Sequence, residues 1–281
     1  MKTIGFIDYY ISEWHANNYP GWIKEVNESI GEDFVVKYAW AEKYVSPVDG
    51  RNTDEWCNAF GIEKCDTIQE LCEKADYILI LAPSDPQKHL EYAQEALKYR
   101  KNTYIDKTFA PDYATAKKIF DIANSFDTKF FSSSALRYAT ELDDMINSRA
   151  IITLGGGRGL EEYIIHQIEM VVKVMNTKAL KVRVEKQGAT QFVINIDFEQ
   201  EKRATLLFSP AYGFNVCVEN SEGAAICRPI VSATFKGLIA DILRFYVTGT
   251  VSFDTAQTLE VMKIREGILK AEQSAGEWIE L

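Results

Sequence analysis

The chain predicts an α/β fold: a doubly wound parallel sheet of Rossmann-like type in its N-terminal half, then an α+β part with an open, mostly antiparallel sheet. Three observations predict it. Short apolar runs alternate with helically spaced segments through the first half, which is the pattern of βαβ units covered on both faces. Beyond about Tyr138 this gives way to strands in which every second residue is apolar. A hydrophobic content of 47% over 281 residues is enough for one large or two medium domains. The change of pattern puts the division at 135/136, giving parts 1–135 and 136–281.

In order, strands are expected over 3–7, 34–39, 77–82, 102–105 and 129–132. Between them, 86–100 carries Leu90, Ala93, Ala96 and Leu97 at three- and four-residue intervals and predicts a crossover helix. A helix over 138–148, a glycine-rich turn and a second helix over 161–175 open the other half. In 191–198 the residues Phe192, Ile194, Ile196 and Phe198 share one face, and Phe214, Val216 and Val218 do so after a turn near Pro210. Two helices close the chain, the first with Phe235, Leu238, Ile239, Ile242 and Tyr246 on one stripe.

A net charge of −10 and a pI near 5.0 argue against nucleic-acid and anionic-membrane partners. The first strand is too short for a signal-peptide core, and no apolar run is long enough to span a membrane, so a cytoplasmic location is expected. The cysteines Cys57, Cys65, Cys72, Cys217 and Cys227 contain no C-x-x-C pair. They read as reduced thiols, and no metal site is expected.

After the first strand a dinucleotide-binding fold keeps a G-x-G-x-x-G turn, but this chain has Asp8, Tyr9, Tyr10, Ile11, Ser12 and Glu13. A tyrosine side chain obstructs a pyrophosphate, and two carboxylates compete with it for the positive end of the following helix. Lys107 falls at the carboxyl end of a parallel strand, the rim where such sheets bind ligands. A lysine there is otherwise only a solvated charge. Glu162 and His166, four apart, share a helix face; a histidine among Ile164, Ile165 and Ile168 reads equally as a hydrogen-bonded core residue. The run Gly155 to Gly159 suits an anion-binding nest or a turn needing positive φ, and Ser132 to Ser134 suit a ligand contact or a helix cap. The aromatic residues Trp14, Tyr19, Trp22, Trp40 and Tyr44 read as a sugar-stacking surface or as packing. His15 reads as a helix-surface or packing residue.

The segment YIDKTFAPDYATAKKIFDIA (104–123) resembles the E-K-P motif of the Gfo/Idh/MocA oxidoreductases, and EYIIHQIE (162–169) resembles their D-x-G-x-H-x-x-D helix. The preceding glycines and the terminal stretch 260–281 extend the resemblance over nearly the whole chain. It implies NAD or NADP as cofactor, a sugar, polyol or related hydroxy compound as substrate, and a homo-oligomer joined through the C-terminal sheet. It further implies that Lys107 contacts substrate and nicotinamide, that His166 accepts the hydroxyl proton and that Glu162 supports it. The altered cofactor positions are Asp8, Tyr10 and Glu13, with Trp40 and Glu42 where the ribose-binding acid belongs. Asp106 and Thr108 replace the glutamate and proline that flank the family's lysine, and 150–162 is shortened. Weak or absent NAD(P)H binding is therefore expected. The alternatives are a non-catalytic ligand-binding or assembly homologue and a cofactor-independent lyase or hydrolase.

Overall fold

The computed structural model describes residues 1–220, 222–274 and 276–281. Its chain forms two compact units: Met1–Ser133 with Leu238–Thr255, and Ser134–Gly237 with Ala256–Leu281.

The first unit is a six-stranded parallel sheet in the order β3-β2-β1-β4-β5-β6. Its strands are β1 (Lys2–Asp8), β2 (Phe34–Ala41), β3 (Glu63–Lys64), β4 (Tyr77–Ile80), β5 (Thr103–Ile105) and β6 (Phe130–Phe131). The strand order reverses between β1 and β4, the switch point at which open α/β sheets bind ligands. The connecting helices are α1 (Trp14–Ile30), α2 (Thr53–Phe60), α3 (Ile68–Lys74), α4 (His89–Ala96) and α5 (Tyr113–Phe126). Central strands are buried on both faces, as Ile78, Leu79 and Ile80 show, and this is why they read as continuous apolar runs.

The expected single division at 135/136 misses a return of the chain. Residues 238–255 carry most of helix α7 (Thr234–Thr248) back to the first unit. There Tyr246 stacks on Tyr77 at 4.7 Å and donates its hydroxyl to the Ile78 carbonyl at 2.7 Å. Phe245 packs edge-on against Phe131. The apolar stripe of α7 thus has its partner more than a hundred residues upstream, a pairing no local pattern announces.

The second unit holds a seven-stranded sheet in the order β12-β11-β7-β10-β9-β8-β13. In chain order these are β7 (Ala150–Gly155), β8 (Ala179–Gln187), β9 (Gln191–Phe198), β10 (Arg203–Phe208), β11 (Asn215–Glu219), β12 (Ala225–Pro229) and β13 (Ile279–Glu280). All neighbours run antiparallel except β7 and β10. Helices α6 (Leu160–Met175) and α8 (Ala256–Glu272) belong to this unit. Phe192, Ile194, Ile196 and Phe198 are all buried, as their alternation requires.

Strand β7, expected as part of a turn, lies between β11 and β10. The helix expected over 138–148 is two 3₁₀ turns, Ala135–Tyr138 and Thr140–Leu142. Long-range partners hold this segment: the Glu141 carboxylate accepts from Val231 N and Ser232 N, while Arg228 reaches the Glu141 carbonyl and Asp144. Tertiary hydrogen bonds here outweigh a modest helical propensity.

The reading of all five cysteines as reduced thiols is also corrected. Cys217 and Cys227 face each other across β11 and β12 and form a disulfide. Nothing in their sequence spacing shows this, because hairpin register decides it. Cys57, Cys65 and Cys72 are buried thiols, and desolvation pushes Cys65 and Cys72 up to about 12. Among the described residues no helix is long and apolar enough to cross a membrane, and no cluster of His, Cys, Asp and Glu could hold a metal ion.

Candidate functional site

The turn from β1 into α1 sits at the switch point of the first unit. A helix start leaves backbone N–H groups without intrahelical partners, and in dinucleotide-binding turns phosphate oxygens take them. Here Glu13 is the N-cap. Its carboxylate accepts from His15 N at 2.8 Å and from Ala16 N, and touches His15 Nδ1 at 3.2 Å. His15 Nε2 in turn lies 3.7 Å from Asp106 Oδ2. His15, expected as a helix-surface or packing residue, thus stands between two buried carboxylates; sequence offered only its place near the start of a helix.

The turn is also closed over. Ile11, Ser12 and Glu13 are buried, with Glu13 6% exposed. Lys43 N donates to the Tyr9 carbonyl at 2.7 Å, Ser46 Oγ to the Ser12 carbonyl at 2.7 Å, and Ser12 Oγ to Asp49 at 2.7 Å. Asp8, 1% exposed, accepts through Oδ1 from Tyr9 N and from Ala82 N, while Oδ2 has no hydrogen-bond partner among the described residues. Burial, and after it the Glu13 charge, push its carboxyl well above the usual 3.8.

Tyr10 is half-buried beside Tyr9, their rings 5.8 Å apart. Glu42, the expected ribose acid, is bound by Lys88 Nζ and the Tyr92 hydroxyl at 2.7 and 2.8 Å. Against burial, which raises it, these partners hold the carboxyl below its usual range. Trp40 packs edge-on against Tyr92. These residues do not fit a dinucleotide pyrophosphate, whose charge would meet Glu13 on the very N–H groups it needs.

The aromatic residues do not act as one group. Trp14, Tyr19 and Trp22 pack along α1, whereas Tyr44 hydrogen-bonds to Asp54. His89 lies between the carbonyls of Leu81 and Phe109, a structural tie. Lys107 follows β5, half-buried, with Nζ 3.5 Å from the Pro83 carbonyl.

In the second unit α6 carries the motif histidine. His166 is 9% exposed, its Nδ1 lies 2.6 Å from Ser134 Oγ, and Tyr163 and Phe214 flank the ring edge-on. Glu162 forms an ion pair with Arg158 at 2.6 Å. Glu169, noted only as a motif match, is buried and accepts from Ser134 N and Arg137 Nε. Its spacing of three from His166 was the signal that the two share a face. The glycines before α6 serve close packing. A Cβ on Gly156 would lie 1.8 Å from the Ser209 carbonyl oxygen, and Gly157, at φ +151°, has the Tyr163 ring where its side chain would be. An open depression of about 990 Å³ in this unit is lined by Arg149, Lys181, Asp197, Lys202 and Arg203, among others, and by none of the motif residues.

Comparison with known proteins adds to this. The family model "Oxidoreductase family, NAD-binding Rossmann fold" (GFO_IDH_MocA) matches residues 43–134. The match begins beyond the altered turn. A probable dehydrogenase from Thermotoga maritima shares the fold over 99% of this chain and 98% of its own, with TM-score 0.82 and 12% identity. The chain is similar to the Gfo/Idh/MocA oxidoreductases. Myo-inositol dehydrogenase from Lactobacillus casei, in complex with NAD(H) and myo-inositol, gives TM-score 0.82 at 10% identity over 100% of this chain and 96% of its own. Aldose-aldose oxidoreductase from Caulobacter crescentus, complexed with glycerol, gives 0.76 at 11% over 100% and 99%. Curated protein sequences give no match.

Proposed function

We propose that this chain is a Gfo/Idh/MocA-type oxidoreductase homologue directed at a sugar, polyol or related hydroxy compound, with a dinucleotide seat filled by its own carboxylate. The Glu13 cap on α1 carries the second half of this reading. Full-length similarity of fold to a dehydrogenase in complex with myo-inositol and to an aldose-aldose oxidoreductase complexed with glycerol supports the first. Lys107 and His166 are the residues proposed to engage the substrate: an ammonium steadies a hydroxyl oxygen, and an imidazole, whose free pKa lies near neutrality, accepts its proton. Glu162 is the accompanying carboxylate. The protein is further proposed to be cytoplasmic; separately, the exposed apolar residues Ile152 and Leu180 of the second sheet support a homo-oligomer joined through that sheet. Light scattering that finds a monomer at micromolar concentration overturns the oligomer.

The Glu13 cap equally favours a second reading, a non-catalytic ligand-binding or assembly homologue or a cofactor-independent lyase or hydrolase. A titration of the pure protein with NADH and NADPH, followed by nicotinamide fluorescence, tests the filled seat. The expected outcome is a Kd above roughly 1 mM; sub-micromolar binding overturns it. A thermal-shift screen of polyols then tests the substrate class: a signal lost in His166→Ala, with the fold intact, assigns binding to this histidine.

A further inference from the structure

Strand β12 ends the order of the second sheet beside β11, and its two faces carry different ties. Outward, Cys227 is exposed and bridges to the half-buried Cys217 directly opposite. Cys217 in turn stands opposite Ile152 of β7, which is 44% exposed, so the bridge lies on the open face of the sheet. Successive residues of a strand point to opposite faces, which puts Arg228 on the inner side. There it forks onto Asp144 at 2.6 and 2.7 Å and reaches the Glu141 carbonyl at 3.0 Å. Just beyond the strand, Val231 N and Ser232 N donate to the Glu141 carboxylate at 2.9 and 2.8 Å. One short strand thus holds a disulfide on one side and the 140–144 segment on the other. That segment follows the 3₁₀ turn carrying Arg137, the ion-pair partner of Glu169 on α6.

The remaining cysteines are of another kind. Cys57, Cys65 and Cys72 are buried, and desolvation pushes their thiols up, to about 11 for Cys57 and about 12 for the other two, so they present little thiolate. A disulfide at the surface meets whatever thiols surround the protein, and exposed bridges are the labile kind.

We propose that the Cys217–Cys227 bridge is a thiol–disulfide exchange site, at which a dithiol frees β12 and with it the 140–144 segment. A thiolate of the dithiol attacks Cys227 Sγ, the exposed sulfur; the bond between the two protein sulfurs breaks and Cys217 leaves as thiolate. The second thiolate of the dithiol then closes on its own sulfur in the mixed disulfide and releases Cys227. The dithiol gives two electrons and two protons and ends as its disulfide, and the protein ends with two thiols. Without the cross-link β12 opens more often, and the residues that Arg228 holds open with it. The hairpin keeps its other ties: 215–219 and 225–229 remain paired, and Asn220 Oδ1 accepts from Glu222 N and Ala224 N at 3.0 and 2.9 Å. The two sulfurs therefore stay opposite each other, and an oxidised dithiol reverses the step.

Dithiothreitol, reduced and oxidised, is the probe, with maleimide trapping and hydrogen exchange both read by mass spectrometry. Ile152 belongs to the face proposed to join copies, so the samples are held at concentrations where light scattering finds single chains. In native buffer, reduced dithiothreitol should add labels at Cys217 and Cys227 and leave Cys57, Cys65 and Cys72 unlabelled, and oxidised dithiothreitol should restore the bridge. Hydrogen exchange in 225–232 and 140–144 should quicken by roughly tenfold on reduction, with β9 and β10 unchanged. Cys227→Ser should match the reduced protein with no reductant present; Cys217→Ser serves if that variant does not fold. A bridge that opens only in denaturant, or a reduction that leaves exchange in 140–144 as it was, overturns the proposal.

Discussion

Helices α1 and α6 begin in opposite ways. The first starts with an acid, Glu13, whose carboxylate takes the N–H groups of His15 and Ala16. The second starts at Gly159, which has no side chain to give, after a glycine run of the kind expected at the first. Yet Gly156 and Gly157 face Ser209 and the Tyr163 ring, with room for nothing larger than hydrogen. Glycines near a helix start therefore do not make a phosphate seat. What lies over the open N–H groups does, and at α1 that place belongs to the protein.

The comparison can be broken most forcefully at α6. Glu169→Ala leaves the buried Arg137 guanidinium without its counter-charge and should cost about 3–5 kcal/mol in urea unfolding. A loss below about 1 kcal/mol would mean that the ion pair does not anchor this helix. At α1, Glu13→Ala removes the cap and should cost about 1–2 kcal/mol by the same measurement. Because the Glu13 charge helps to raise Asp8, the Asp8 carboxyl should titrate lower in this variant, which carboxyl NMR would follow.

Asp8→Asn should act the other way and by less. The folded carboxyl titrates well above 3.8, so as pH rises past that value the unfolded chain releases a proton that the native one retains, and stability falls. The amide keeps the acceptor for Tyr9 N and Ala82 N and removes the penalty. The variant should match the wild type below about pH 4 and melt higher at pH 7; a pH-independent gap would mean that Asp8 is not the group responsible. The smallest effect is expected for Gly159→Ser. Its backbone is extended at φ −166°, a Cβ there meets nothing within 4 Å, and a new cap on α6 should add a few tenths of a kcal/mol, read by calorimetry. A loss would show that the N–H groups of α6 already have better partners.

Much of this was legible in the sequence because it is local. Alternation set the faces of β9, apolar runs marked β1 and β4, and two acids in place of glycines announced a turn with its own anion. The 138–148 segment, strand β7 and the Cys217–Cys227 bridge were not legible, because each depends on a partner far along the chain or on hairpin register. His166 was readable as a residue of interest but its serine partner was not, since 32 residues separate them. The sequence by itself determined the fold class, the periodic faces and the loss of the glycine fingerprint, all consequences of side-chain size, charge and spacing. Only the tertiary structure decided that Glu13 turns inward onto its helix, that α7 returns to the first sheet and that Ser134 meets His166. These are pairings across the chain, and burial, by stripping polar groups of water, makes each satisfied partner matter.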